Sequence, residues 1–189
     1  MASKDMPACR TKRIMRANLM NDETSQSQFA AFTSAVKQRS AARILELGTE
    51  DSSFMLEMVN SVDWASNVEL HCTEAVTEGF DQDLVAAAET TAVEFKLIKH
   101  AGSESELNDA FLELATPRGF DAVFISNSPS KEALLTSLLV CHELLETDGV
   151  LGLSQLVVTN PLLSDAIASF RDILGDIYKE ASDHIFLKG

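Results

Sequence analysis

The chain has 189 residues, of which 46% are hydrophobic and 23% are charged, a composition typical of one globular domain with its own core. The net charge of -14 argues against nucleic acid or an anionic membrane as the main partner. No apolar run is long enough to cross a bilayer, and the first residues lack the apolar stretch of a secretory signal, so we expect a cytoplasmic protein.

The first 16 residues form a basic segment on an otherwise acidic chain. Their net charge is +4, from five basic side chains and Asp5, so the remaining residues carry -18. Such an arm could contact a second subunit or an anionic ligand, although a solvated first helix is the commoner explanation. We predict a basic arm or short helix over residues 1–20 and a single domain over residues 21–189, and we leave a homodimer open.

Three widely spaced cysteines, Cys9, Cys72 and Cys141, fit reduced thiols better than a disulfide framework or a zinc site. Cys72 and Cys141 stand in apolar surroundings and are predicted to be buried as small hydrophobes.

Helix and strand patterns alternate along the chain. A helical pattern runs from about Ser25 to Arg39, with Phe29, Phe32 and Val36 on one face. The predicted strands are 42–48, 67–75, 93–100, 120–126, 150–156 and 184–189. The predicted helices between them are 52–62, 78–91, 105–116, 130–146 and 160–176, the last with Pro161 just inside its start.

This alternation predicts a doubly wound, mostly parallel sheet in a three-layer α/β/α arrangement. Ligands of such sheets bind beyond the carboxyl ends of the strands, near the switch in strand order. The loops that follow the strands are therefore where chemistry is expected.

Two stretches resemble a known family. The segment "RILELGT" followed by a helix resembles the first motif of class I S-adenosylmethionine-dependent methyltransferases. Residues 23–49 and 120–157 resemble, more narrowly, the caffeoyl-CoA and catechol O-methyltransferase branch. The resemblance implies the Rossmann-like methyltransferase fold, S-adenosylmethionine as cofactor, and methylation of a small molecule.

The resemblance also implies a cofactor site. Glu46 would lie near the amino group of the cofactor, Glu74 would accept hydrogen bonds from the ribose hydroxyls, and the third loop would contact adenine. The implied cofactor-binding residues are Glu46, Gly48, Thr49, Ser52, Glu74, Ala75, Gly102, Ser103 and Ser126.

The first loop departs from the family pattern. Ser52 stands where a second glycine is expected, and Phe54 stands where a small serine is usual. Glu50 and Asp51 add negative charge near the place of the cofactor's carboxylate. A plain strand–turn–helix, with Asp51 or Ser52 as N-cap, therefore stays open as an alternative.

The metal ligands of the branch are also replaced. The family binds a divalent metal through an Asp after the fourth strand and an Asp-Asn pair after the fifth, and this chain has Ser126, Ser154 and Gln155 there. Neutral oxygens alone rarely hold Mg²⁺, so no metal is expected. Lys131, two positions beyond the place of the family's lysine, is the candidate base, with a solvated residue of the first helical turn as the alternative.

Three functions follow. The first is a metal-independent O-methyltransferase acting on a small molecule. The second is a catalytically degenerate protein, a pseudoenzyme, that keeps the methyltransferase fold as a binding or oligomerisation module. The third is a Rossmann protein for another nucleotide, which the lack of spaced glycines in "GTEDSS" argues against.

Overall fold

The structure is a computed structural model that describes residues 29–49, 53–61, 63, 67–73, 82, 86–87, 94–100, 118–182 and 184–189, with the backbone alone for residue 73 and for residues 94–100. The strands are β1 Arg43–Leu47, β2 Asn67–Thr73, β3 Glu94–His100, β4 Phe120–Ile125, β5 Leu145–Leu153, β6 Tyr178–Ser182 and β7 Ile185–Lys188. The helices are α1 29–38, α2 Ser53–Ser61, α3 Lys131–Leu144, α4 Gln155–Thr159 and α5 Ser164–Leu174.

The strands form one seven-stranded sheet in the order β3-β2-β1-β4-β5-β7-β6. The first five strands in this order run parallel, and β7 lies antiparallel to both β5 and β6. The strand order reverses between β1 and β4, which places the expected ligand crevice beyond their carboxyl ends. The prediction of a doubly wound, mostly parallel α/β sheet is confirmed.

Two hydrophobic clusters cover the two faces of the sheet, because successive side chains of a strand point to opposite sides. Leu45 and Leu47 of β1 belong to the cluster that also contains side chains of α3 and α5. Ile44 belongs to the cluster that contains side chains of α1 and α2. Cys72 and Cys141 are buried, one in each cluster, as predicted.

Four phenylalanine rings pack together on the α1–α2 side of the sheet. Phe54 stacks on Phe124 with ring centroids 4.3 Å apart and an interplanar angle of 3°. Phe29 and Phe32 contact both of these rings at centroid distances of 5.1 to 5.7 Å. A Cβ atom at Gly152 would lie 2.5 Å from the ring of Phe32, so β5 needs a glycine where it passes under the rings.

The two C-terminal strands close against the end of α3. Lys188 donates from Nζ to the carbonyl oxygens of His142 and Leu145, at 2.6 Å each, which satisfies the carboxyl end of the helix. Burial lowers the pKa of Lys188. Burial raises the pKa values of the Tyr178 hydroxyl and the Cys141 thiol above their ordinary values of 10.0 and 9.0.

The boundary between α3 and β5 differs from the prediction of a helix to residue 146 and a strand from 150. The helix ends at Leu144, and strand pairing begins at Leu145. The pairing with β4 is irregular between Leu145 and Val150, and Asp148 has a φ of 63°. The turn expected at residues 147–149 is therefore an irregularity inside the strand.

Three further differences lie in the last forty residues. The strand predicted to reach residue 156 ends at Leu153, and α4 follows because Ser154 acts as its N-cap. Helix α5 begins at Ser164 and not near Pro161, which lies in the preceding turn. Strand β6 was not predicted, since it is a polar edge strand in which Tyr178 is the buried side chain.

Several predictions lie outside the described residues. These are the arm over 1–20, the helix over 105–116, and most of the helix over 78–91, of which 82, 86 and 87 are helical. The division into an arm and one domain stays a prediction. Among the helices of the described part, none is long and apolar enough to span a bilayer.

Candidate functional site

A buried carboxylate lies at the switch in strand order. Glu46 is the penultimate residue of β1, and its side chain is 1% exposed. Ser126, directly after β4, donates a hydrogen bond from its hydroxyl to Oε1 of Glu46. The site predicted from the sequence thus brings together two of its residues at the carboxyl ends of β1 and β4.

The turn after β1 packs tightly on the loop after β4. Gly48 has a φ of +69°, and a Cβ atom there would lie 2.0 Å from the carbonyl oxygen of Asn127. Only glycine combines this left-handed conformation with so close an approach. The packing of the protein itself therefore requires a glycine at position 48, so this glycine is not by itself evidence of a ligand site. The next residue, Thr49, is 2% exposed.

Ser154 joins the loop after β4 to the start of α4. Its backbone N–H donates to the carbonyl oxygen of Ile125 at 2.9 Å, and its hydroxyl donates to the carbonyl oxygen of Ser126. The same hydroxyl accepts from the backbone N–H of Val157 at 3.3 Å, as an N-cap does. Sequence reasoning had assigned this serine only as a lost metal ligand, and its position before α4 was the signal for a cap.

The residues at the family's metal positions do not fit a divalent metal. The Ser126 and Ser154 hydroxyls donate to acceptors within the protein, and the Gln155 amide is neutral. In the described part of the chain, no three His, Cys, Asp or Glu side chains come together as a metal ion would need. Mg²⁺ prefers carboxylate or phosphate oxygens, so we derive no chemical step through a metal.

Lys131 lies on the surface at the start of α3. Its Nζ is 3.0 Å from Oδ2 of Asp165 on α5, and the two side chains are 43% and 74% exposed. This geometry corresponds to the alternative of a solvated residue in the first helical turn.

Phe54 departs from the family pattern at a position that faces the core. Its ring is 1% exposed and belongs to the phenylalanine cluster. The size of this side chain is therefore accommodated between the sheet and the helices.

The other predicted cofactor residues, Ser52, Glu74, Ala75, Gly102 and Ser103, lie outside the described residues. The described part of the site consists of Glu46, Gly48, Thr49 and Ser126, supported by Asn127 and Ser154. The close approach of the Asn127 carbonyl oxygen to Gly48 was not predicted. The sequence signal that could have indicated it is the glycine directly after the first strand.

No protein-family model and no curated protein matches the sequence. Solved structures do match. The O-methyltransferase from Bacillus cereus in complex with SAH is 15% identical, over 100% of this chain and 93% of its own, with a TM-score of 0.59. The O-methyltransferase TomG from Streptomyces achromogenes, in complex with SAM, is 16% identical over 86% and 79%, with a TM-score of 0.60. The SAH-bound methyltransferase PaMTH1 from Podospora anserina is 12% identical over 98% of each chain, with a TM-score of 0.53.

These similarities show a Rossmann-like α/β protein with the class I methyltransferase fold. The class I methyltransferase fold that the sequence resemblance implied is thereby confirmed.

Proposed function

We propose that this protein binds S-adenosylmethionine beyond the carboxyl ends of β1 and β4 and methylates a small molecule without a metal. The observation that carries the proposal is the Glu46 carboxylate, which is 1% exposed at the strand-order switch of a fold whose solved neighbours include SAM and SAH complexes. A buried carboxylate is stabilised by hydrogen-bond donors and positive charge, and the Ser126 hydroxyl is one such donor to Glu46. The ammonium group of the cofactor would add a donor that carries positive charge.

In this proposal the cofactor supplies an electrophilic methyl group on a sulfonium. Glu46 accepts hydrogen bonds from the ammonium end, and Gly48 and Thr49 shape the turn around it. Ser126 holds the carboxylate, while Ser52, Glu74, Ala75, Gly102 and Ser103 stay the proposed contacts to the rest of the cofactor. Methyl transfer of this kind depends mainly on proximity and in-line orientation of the acceptor.

Isothermal titration calorimetry with S-adenosylhomocysteine tests the proposal. Glu46→Gln keeps the shape of the side chain and removes its charge. We expect binding to weaken roughly 10- to 100-fold, because a hydrogen bond to a charged group contributes about 1.5–3 kcal/mol. Glu132→Gln, at an exposed glutamate in the first turn of α3, is the matched control. No heat from the wild-type protein at about 1 mM ligand would reject cofactor binding.

Metal independence has its own test. Titrations with Mg²⁺ and Mn²⁺, with and without S-adenosylhomocysteine, should give no saturable heat, and EDTA should leave methyl transfer unchanged. A stoichiometric metal site in either titration would contradict this part of the proposal. We also propose a cytoplasmic location and a small-molecule acceptor, with a homodimer left for sedimentation to decide.

A catalytically degenerate binding module is the second candidate. It is favoured by the engagement of the Ser126 and Ser154 hydroxyls within the protein and by the ion pair of Lys131 with Asp165. Turnover of radiolabelled S-adenosylmethionine against a panel of phenols, carboxylic acids and thiols separates the two. Methylation of any acceptor rejects the module, and cofactor binding without turnover across the panel favours it.

A further inference from the structure

We infer that Ser126 is a positioning residue that fixes the Glu46 carboxylate for the ammonium end of the cofactor. The inference rests on the proposed function and deepens it, because it gives the serine at a family metal position a role of its own. Ser126 acts through Glu46 and is not assigned a contact with the reacting atoms.

The backbone of Ser126 is held on both sides. Its N–H donates to the carbonyl oxygen of Leu47 at 2.9 Å, which ties the loop after β4 to the end of β1. Its carbonyl oxygen accepts the hydroxyl of Ser154, which ties the same residue to the start of α4. The rotation of the side chain is then the main freedom left to Ser126.

The Ser126 hydroxyl uses that freedom to donate to Oε1 of Glu46. The terminal torsion of a glutamate is broad, so a hydrogen bond to one carboxylate oxygen narrows the range of orientations of the group. A hydrogen bond from a hydroxyl to a carboxylate is among the stronger kinds, and it favours the charged form. Ser126 therefore fixes the position of Oε1 of Glu46, and this in turn defines the direction in which Oε2 points.

The same geometry explains why a carboxylate is unsuited to position 126 in this chain. An aspartate there would replace the donor by a second acceptor beside a carboxylate that is 1% exposed. Two adjacent carboxylates cannot easily both stay ionised unless a cation lies between them. The change that restores the family's first metal ligand should thus disturb the Glu46 site.

Calorimetry with two ligands tests the inference. S-adenosylhomocysteine carries the ammonium group, and 5′-methylthioadenosine has the adenosine and thioether without it. We expect Ser126→Ala to weaken binding of the first about 3- to 10-fold and to leave the second within about twofold. Ser126→Thr keeps the hydroxyl and should therefore bind S-adenosylhomocysteine with most of the wild-type affinity. Ser126→Asp, without added metal, should weaken the binding of S-adenosylhomocysteine at least as much as Ser126→Ala does. Ser137→Ala, at a half-buried serine on α3, is the control for a serine lost elsewhere.

A double-mutant cycle distinguishes positioning from a structural effect. In the Glu46→Gln background, Ser126→Ala should weaken the binding of S-adenosylhomocysteine by less than about twofold, because the carboxylate through which Ser126 acts has been removed. Equal weakening of both ligands, or the same loss in both backgrounds, overturns the inference. If the wild-type protein binds S-adenosylhomocysteine and Ser126→Ala binds it equally well, the inference fails and the proposed function stands. A wild-type protein that binds neither ligand overturns both.

Discussion

Replacing Gly48 with alanine would test how closely the loops after β1 and β4 depend on each other. The added Cβ would lie 2.0 Å from the carbonyl oxygen of Asn127, where contacts below 3.0 Å are essentially never seen. The left-handed conformation disfavours alanine by about 1–2 kcal/mol, and overpacking a filled space adds about 1–3 kcal/mol. The free energy of unfolding should therefore fall by about 2–5 kcal/mol, which for a chain of this length lowers the melting temperature by about 4–20 °C.

Urea unfolding followed by circular dichroism measures the loss, and calorimetry with S-adenosylhomocysteine follows the site. Affinity should fall as well, because a shift of the Asn127 backbone would displace Ser126, its neighbour in the chain. Gly189→Ala is the matched control, since its Cβ would lie 3.2 Å from the nearest atom and the residue is exposed. It should change the free energy of unfolding by no more than about 0.5 kcal/mol.

A Gly48→Ala protein as stable as the control would refute the reasoning. It would mean that the loop after β4 can withdraw from Gly48 without loss. The close approach would then say nothing about why a glycine stands there.

Phe54→Leu should lower the free energy of unfolding by about 1–3 kcal/mol through loss of the stacked pair with Phe124 and should leave S-adenosylhomocysteine affinity within about twofold, as unfolding and calorimetry would show. A large loss of affinity with normal stability would instead place this ring at the ligand. Lys131→Ala should change stability by less than about 1 kcal/mol, because its ion pair with Asp165 is exposed, and any methyl transfer should persist; a rate reduced about 100-fold or more would identify a base. Burial raises the folded-state pKa of Tyr178, so the stability it contributes is complete below its unfolded value of 10.0 and is lost as pH rises above it, by up to about 1.4 kcal/mol per pH unit. Tyr178→Phe should flatten the pH dependence of the free energy of unfolding above pH 10, and an unchanged slope would contradict this assignment.

The periodicity of the sequence predicted the layers and the parallel part of the sheet. Strand β1 is a short apolar run ended by Gly48, and α3 buries Leu134, Leu138 and Cys141 along one stripe. Such local signals suffice when each element covers one face of a single sheet. The boundaries were less accurate where two signals competed, as at Leu145, which continues the apolar pattern of α3 but already pairs with β4.

The C-terminal differences have specific physical causes. The strand was predicted to continue through Ser154 to residue 156, but the cap formed by Ser154 starts a helix at Gln155. Asn160 accepts from the backbone N–H of Leu162 with its side chain, so the Asn-Pro pair forms a turn before the helix and not its first residues. Strand β6 depends on pairing with β7, a contact that no local pattern encodes.

The residues of the candidate site could be predicted from the sequence, but the hydrogen bonds between them could not. Glu46, Gly48 and Ser126 could be named from the resemblance. The bond from Ser126 to Glu46 joins residues 80 positions apart, and the bond from Ser154 to Ser126 joins residues 28 apart. Contacts at such separations depend on strand order and register, so they could be assigned only once the sheet was known.

The passage of β5 under the phenylalanine rings has a consequence for how this protein can diverge. A Cβ atom at position 152 would lie less than 3.0 Å from the rings of both Phe32 and Phe124, so a side chain fits there only if both rings give way, and a smaller residue at either position would leave a void that another residue must fill. In sequences descended from this one, these positions should thus mutate as a correlated group. Single exchanges would be selected against, while compensated pairs would persist.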